Sequence, residues 1–313
     1  MLSDKFNQLF VMIALAAIAY CLLFPTAFFV QVIMWATLAA TLGSSMRFVM
    51  LVGELNIGTA AFYGIGAYAS GYAFTALEVP FAFTLVIAAI VGGMVALVFG
   101  YATMRTTGPY FMLISFAFVE IVRMLIVESE FLGGNNGIVG LFVPIDFEPF
   151  YAATVVAISA IMIATMAYVE FSPLGKIFAA IKNREAVARS VGVNVLAMRV
   201  LCLVIASVVA SIAGSLHGFT THVITPTDFT FMLSVFALAY VKLGGEGHPI
   251  GPVLGAIILT LVAQYLISFG AYQQLFFGAV IALAMLSLPH GLVGRAMDLA
   301  KQVSRRGVAR VQR

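Results

Sequence analysis

Charge is what this sequence most lacks. Only 9% of its 313 residues are Asp, Glu, Lys or Arg, against about 25% in an ordinary soluble domain. Such a surface cannot face water on every side. Cysteine is scarce as well: Cys21 and Cys202 both fall in apolar stretches and read as small buried hydrophobes, not as a disulfide framework. The four histidines (His217, His222, His248 and His290) are scattered without metal-ligand spacing. A G-x-x-x-x-G-K-[ST] phosphate loop is missing, because the only Gly-Lys pair is Gly175-Lys176 and Glu170 stands where the first glycine is required. H-E-x-x-H and G-x-S-x-G motifs and a paired-carboxylate constellation are also lacking. The chain is therefore expected to be no enzyme and to bind no cofactor itself, so any ATP and Mg would be used by another polypeptide.

Hydrophobic residues make up 63% of the chain. They come in runs of roughly 17 to 23 residues, each long enough to cross a ~30 Å hydrocarbon core as a helix. Membrane strands would alternate polar and apolar residues over ~10 positions, and no such alternation dominates. At the N-terminus, Lys5 precedes an apolar stretch with a small-x-small pattern at Ala14-Leu15-Ala16, as a cleavable signal would have. The apolar run nevertheless continues through Phe24 and resumes after Pro25, and Tyr20 precedes Cys21 where a lipoprotein site needs a small residue. A retained first span is the expectation. The sequence thus predicts an all-α, polytopic transmembrane helical bundle of about ten spans (eight to ten). They fall near 7–24, 28–46, 56–77, 81–103, 109–128, 150–170, 199–219, 228–243, 250–268 and 273–289.

The charges orient this bundle through the positive-inside rule. With the N-terminus inside, fifteen of the sixteen basic residues lie on inner segments, the exception being Arg123 within a span. The outer loops hold Glu78, Glu128, Glu130, Asp146, Glu148 and Asp228 with no Lys or Arg. Both termini are expected to be cytoplasmic, in a multi-pass protein of a bacterial-type inner (plasma) membrane. The chain reads as one transmembrane domain over 1–313, with an inner loop at 172–199 and a basic tail at 291–313. That tail is explained by anionic lipid headgroups, so no nucleic-acid partner is expected.

Three segments depart from plain lipid-facing helix. From Gly53 to Gly71, small residues recur four apart (Ala60 with Gly64, Gly66 with Ser70, Ala67 with Gly71). This spacing suits close helix packing. It also suits a broken helix start near Asn56–Thr59 whose backbone meets a polar solute. Asn56, Gly58, Thr59, Phe62, Tyr63 and Gly64 are the pathway candidates there. Next, Arg105-Thr106-Thr107-Gly108-Pro109 opens a span carrying Glu120 and Arg123, three apart on one helical face. They can pair, as a clamp between helices or as part of a solute or proton path. In the 172–199 loop, Ser172-Pro173 suits an N-cap and first helical position. Asn183 is placed to cap a second short helix from Arg184 through Glu185, Val187 and Arg189 to Val191, and Gly192 to end it. Its hydrophobic stripe suits docking of a cytoplasmic partner.

On these segments the chain resembles the permeases of the branched-chain amino acid ABC importers, in particular the LivM-type membrane subunit. The resemblance runs in order from about residue 40 to 290. Gly58-Thr59-Ala60-Ala61-Phe62-Tyr63-Gly64-Ile65-Gly66-Ala67-Tyr68 is similar to the family's Gly-x-Ala-Ala-Phe-x-Gly-Ile-Gly-Ala-Tyr segment. Gly108-Pro109-Tyr110-Phe111 and Gly133-Gly134-Asn135-Asn136-Gly137 resemble its next two signatures. Ser172-Pro173-Leu174-Gly175-Lys176 with Gly192-Val193-Asn194 resembles the loop that contacts the ATPase, and Leu243-Gly244-Gly245 with Gly251-Pro252 a late glycine-rich turn. The chain departs from the pattern at Lys182-Asn183-Arg184-Glu185 and Glu246-Gly247-His248-Pro249. The resemblance implies a second permease subunit in a heterodimer, two ATP-binding subunits and an extracytoplasmic solute-binding protein. It implies import of branched-chain or other hydrophobic amino acids, with Asn183, Arg184, Glu185, Val187, Arg189, Gly192 and Asn194 coupling to the ATPase. A relative carrying urea, short amides or aromatic or organic acids is the alternative. More remote is a stand-alone ion-coupled transporter.

Overall fold

The computed structural model describes residues 2–24, 28–144, 147–266, 270, 277–279, 281–283 and 291–295. Eleven α-helices run through residues 2–266. The first six are α1 (Leu2–Leu23), α2 (Phe28–Val49), α3 (Thr59–Thr75), α4 (Phe81–Thr103), α5 (Pro109–Glu128) and α6 (Glu148–Phe171). Two short ones follow, α7 (Pro173–Asn183) and α8 (Glu185–Ser190), then α9 (Val195–Thr221), α10 (Phe231–Gly244) and α11 (Ile250–Leu266). The one sheet among the described residues pairs two-residue strands antiparallel, β1 (Ile138–Val139) with β2 (Val223–Ile224). Among the described residues, five helices are long and apolar enough to cross a membrane by length and composition: α2 with its 3-10 extension to Val52, α4, α5, α6 and α9. The molecule is an all-α polytopic membrane bundle with at least these five spans, accompanied by shorter apolar helices.

Helix α4 has the sequence logic of a lipid-facing span. Phe83, Val86, Ile90, Met94 and Leu97 are exposed, whereas Ala88, Gly92, Ala96 and Gly100, four apart, turn inward. That small-residue stripe meets α9, the central helix, which also packs on α3 and α2. Lipid tails are as apolar as leucine, so helices associate through close packing and interhelical hydrogen bonds instead of water exclusion. Both are present. A methyl at Gly66 of α3 would overlap the Ser211 backbone, and one at Gly92 of α4 the Ser211 hydroxyl. Ser211 Oγ donates to the Phe62 carbonyl at 2.9 Å. Two apolar clusters fill the bundle, one around Phe48, Phe62, Met104, Phe178 and Leu203 near α7, the other around Leu42, Tyr63, Tyr68, Leu216 and Phe229 toward the opposite face.

Nine of the ten expected segments fall on α1–α6 and α9–α11; the tenth, 273–289, lies outside the described residues except for 277–279 and 281–283. Expected boundaries shift at two places. Helix α3 starts at Thr59 instead of 56, because Gly53 to Gly58 is not helical. Helix α10 starts at Phe231 instead of 228, because Pro226–Phe229 forms a separate 3-10 turn closed by a capping box between Thr225 and Asp228. The basic tail beyond residue 295 lies outside the described residues.

Candidate functional site

The connection between α2 and α3 crosses much of the bundle without helix. Glu54 lies beside Arg199, four residues into α9, about 6 Å along it at the helical rise, whereas Phe62 meets Ser211, about 24 Å along. Irregular backbone at such depth must be satisfied by protein, and here serines from two neighbouring helices do it. Ser115 Oγ of α5 accepts from the Ile57 N–H at 3.1 Å. Ser234 Oγ of α10 accepts from the Ala60 N–H at 3.0 Å and donates to the Ile57 carbonyl. Asn56 Oδ1 accepts from the Gly58 N–H at 2.9 Å, and Thr59 Oγ1 donates to the Asn56 carbonyl at 2.9 Å. Asn56, Thr59 and Phe62 are buried; of the pathway candidates on α3, Tyr63 lines a cavity. Gly64 seats Phe229 against α3, since a Cβ there would lie 3.0 Å from the Phe229 side chain.

The α7–α8 segment is tied to the bundle at both ends by buried arginines. At the α6 end, Arg47 of α2 grips Glu170 bidentately, Nη1 and Nη2 each at 2.7 Å, and its Nε donates to the Glu246 carbonyl at 2.8 Å. At the α9 end, Arg199 Nη2 donates to Glu185 Oε2 of α8 at 2.9 Å and lies 3.7 Å from Glu54 Oε1. Glu185 also pairs with Arg189 one turn on. Glu54 Oε2 accepts from the Gly108 N–H, at the start of α5, at 2.8 Å. Gly53 turns the chain into this position with φ +89°, where an L side chain is strained. Burial pushes the Glu54 carboxyl above its ordinary range, opposed by the Gly108 N–H and Arg199 and reinforced by Glu185.

Between those ends the local chemistry follows the sequence. Ser172 Oγ caps α7 by accepting from the Leu174 N–H, with Pro173 at the first position. Gly192 takes φ +84° after α8, and Asn194 Oδ1 caps α9 through the Ala197 N–H at 3.1 Å. Asn183 departs from expectation: it ends α7, and Arg184 is the capping residue of α8, in an extended conformation and without a side-chain cap. Glu185 instead opens the α8 first turn, where an acidic side chain favours the helix dipole. Val187 and Val191 are exposed, while Ala188 packs inward on Ile181 and Val195.

Toward the opposite face, a cavity of about 320 Å³ lies among α2, α3, α9, α10 and α11. Its apolar wall comes from Leu38, Leu42, Leu233 and Leu259. Around His217 stand Trp35 and Tyr63, with ring centres at 5.2 and 5.5 Å, and Phe229 at 6.0 Å. Asp228, Tyr240, Thr260 and Gln264 complete the lining. Sequence reasoning reached this site through Tyr63 alone; its other lining residues were missed, the nearest further signal being the outer-loop position of Asp228. Glu120 and Arg123 are elsewhere. They pair on α5 at 2.9 Å, each roughly a third exposed, and do not join the cavity or the α7–α8 junction. Only Phe111, Ser115, Val119 and Ile126 of α5 are buried. Among the described residues, no group of three His, Cys, Asp or Glu side chains could hold a metal.

The bundle thus combines a non-helical stretch before α3, a partly open cavity and a short amphipathic α7–α8 segment. Residues 28–285 match the family described as branched-chain amino acid transport system / permease component, and the chain belongs to that family. It is 27% identical over 273 residues to the high-affinity branched-chain amino acid transport system permease protein LivM of Salmonella typhimurium, covering 78% of this chain and 64% of the relative. The LivM protein of Escherichia coli K12 gives the same identity and coverage. The LivH permease protein of Escherichia coli K12 is 25% identical over 276 residues, 78% of this chain and 87% of that one. The chain thus spans a little under two thirds of the length of the LivM relatives. No solved structure matches it.

Proposed function

We propose that the chain is the membrane permease subunit of an ABC importer that moves branched-chain or other hydrophobic amino acids across a bacterial-type inner membrane. The observation that carries this reading is the family match over residues 28–285. The largely aliphatic and aromatic cavity agrees with such a cargo better than with urea or a short amide. In this reading the chain crosses the membrane about ten times, and the α7–α8 face and both termini are cytoplasmic. The 172–199 segment receives the ATPase, with Val187, Arg189 and Glu185 on its docking side and Asn183, Arg184, Gly192 and Asn194 shaping it. The tail at 291–313 rests near anionic lipid.

Solute is delivered by an extracytoplasmic binding protein, and two ATP-binding subunits supply the work. A second permease completes the path. Similarity to both LivM and LivH supports a heterodimer, and so does the Glu120–Arg123 pair, about 16 and 21 Å along an otherwise apolar helix. An ion pair at that depth faces protein or a water-filled path, not lipid. The interrupted segment at Asn56, Gly58 and Thr59, followed by Phe62, Tyr63 and Gly64, is the hinge of alternating access. Movement of α8 reaches it through Arg199 and Glu54.

The test is uptake by proteoliposomes holding this chain with its partner permease, ATPases and binding protein. Leucine accumulation that needs ATP is the expected result. Accumulation of urea, amides or organic acids alone reassigns the cargo, and uptake driven by a proton gradient without ATPases overturns the reading.

A further inference from the structure

The cavity among α2, α3, α9, α10 and α11 gathers several polar side chains around one apolar space. Among the described residues, the Tyr63 hydroxyl, the His217 ring nitrogens and the Tyr240 hydroxyl have no hydrogen-bond partner, nor do the Thr260 and Gln264 side chains. Tyr63 is 3% exposed. Deep polar groups are ordinarily paired, because a buried donor or acceptor without a partner forfeits its bonds to water. Tyr151, also buried, shows the paired arrangement: it donates to the Leu216 carbonyl at 2.6 Å. Asp228 is exposed at the cavity rim and half engaged. Its Oδ2 accepts from the Thr225 N–H at 2.9 Å and the Thr225 hydroxyl at 2.8 Å, and no hydrogen bond reaches Oδ1. Several open polar groups facing one apolar, aromatic space describe a site complementary to a small molecule with both characters.

We propose that this cavity is a transit subsite that holds an aliphatic amino acid by its ammonium group, between Asp228 Oδ1 and the faces of Trp35, Tyr63 and His217. A carboxylate supplies the counter-charge, and aromatic faces attract a desolvated cation. The aliphatic chain lies against Leu38, Leu42, Leu233 and Leu259, and the carboxylate of the ligand takes donors from Thr260 and Gln264. This deepens the import reading and rests on it.

Trp35 is the only tryptophan of the chain, so its emission reports on this cavity alone. The experiment titrates the purified full chain in detergent micelles, which add no tryptophan, with L-leucine, 3-methylbutylamine (no carboxylate) and 4-methylpentanoate (no ammonium). Leucine and the amine are expected to shift Trp35 emission, and the acid is not. Asp228→Asn, which keeps the acceptor for the Thr225 N–H, is expected to raise the half-saturating concentration of both at least tenfold. Gln264→Leu should weaken leucine several-fold and leave the amine unchanged, an arm that stands even if the Asp228 variant fails to fold. Equal responses to all three compounds, or an Asp228→Asn chain that binds like the parent, overturn the ammonium site. The same variants are assayed for uptake in the assembled transporter. A silent Trp35 beside intact leucine import overturns the cavity proposal alone, whereas Trp35 binding beside absent leucine import overturns the import reading on which the transit role rests.

Discussion

Arg47 and Arg199 are both buried, both bind glutamates, and both hold an end of the same α7–α8 segment, yet they are used differently. Arg47 spends all three guanidinium nitrogens, two on Glu170 and one on the Glu246 carbonyl. Arg199 makes its contacts to Glu185 and Glu54 through Nη2 alone, and its Nε has no hydrogen-bond partner. A bidentate fork fixes geometry as well as charge, whereas one nitrogen shared between two carboxylates fixes little. The first arrangement is an anchor. The second is a link that can trade one carboxylate for the other, joining α8 to the interrupted segment before α3.

The largest effect is expected from breaking the anchor. Arg47→Ala leaves Glu170 without its charge partner in a mostly buried setting, a class of change that costs about 3–5 kcal/mol. Loss of folded, monodisperse protein in detergent, or a large fall in thermal unfolding temperature, checks it. An unfolding temperature within a degree or two of the parent's removes the anchor role. A double-mutant cycle sharpens the contrast: coupling of Arg47 with Glu170 should exceed that of Arg199 with Glu185, which has one carboxylate about a third exposed.

Next comes the link. Arg199→Gln is expected to lower substrate-stimulated ATP hydrolysis of the assembled complex about tenfold, with a smaller stability loss than Arg47→Ala. Equal losses of stability in the two variants would erase the distinction. Acidity acts on the same link. Because burial raises the Glu54 carboxyl above its unfolded value, the folded chain takes up that proton first as pH falls. The stability contributed by Glu54 therefore grows as pH falls through its raised folded range, and the gain is complete below the unfolded value. Its ion pair to Arg199 weakens over the same interval. Glu54→Gln should flatten that part of the pH dependence of unfolding; an unchanged profile would assign it to another group.

How much of this was legible in the sequence follows from the range of each interaction. The long apolar runs, the Ser172-Pro173 cap and the left-handed Gly192 are local, and the structure bears them out. The interruption before α3 was legible as a concentration of Gly, Asn and Thr, but its serine partners on α5 and α10 lie far along the chain. Asn183 misled because Asn is a good capping residue wherever a helix begins, and α7 simply continued through it. The Glu54–Arg199–Glu185 chain and the cavity around His217 join helices remote in sequence. No local pattern encodes them without a knowledge of which helices touch.

A smaller effect is expected at the docking surface itself. Glu185→Arg places a cation beside Arg189 and Arg199 and removes the acidic residue from the α8 first turn. Retention of the ATPase during purification should fall about tenfold while the permease stays folded in the membrane. Undiminished co-purification would count against α8 as the docking element.

The smallest effect tests whether every ion pair on this face matters. Lys242 and Glu246 pair at 2.9 Å, one turn apart, with both side chains about 40% exposed. Their geometry is as good as that of Arg199 with Glu185, so distance alone predicts equal importance. Solvent decides otherwise: an exposed i, i+4 pair contributes only about 0.3–0.5 kcal/mol, and salt screens it. Glu246 also serves Arg47 through its backbone carbonyl, which a side-chain change at Lys242 leaves in place. Lys242→Ala is accordingly expected to shift stability by less than about 0.5 kcal/mol and to leave transport unchanged within twofold. A loss comparable to that of Arg199→Gln would mean that burial is not what separates the link from its neighbours, and that the whole charged face moves as one network.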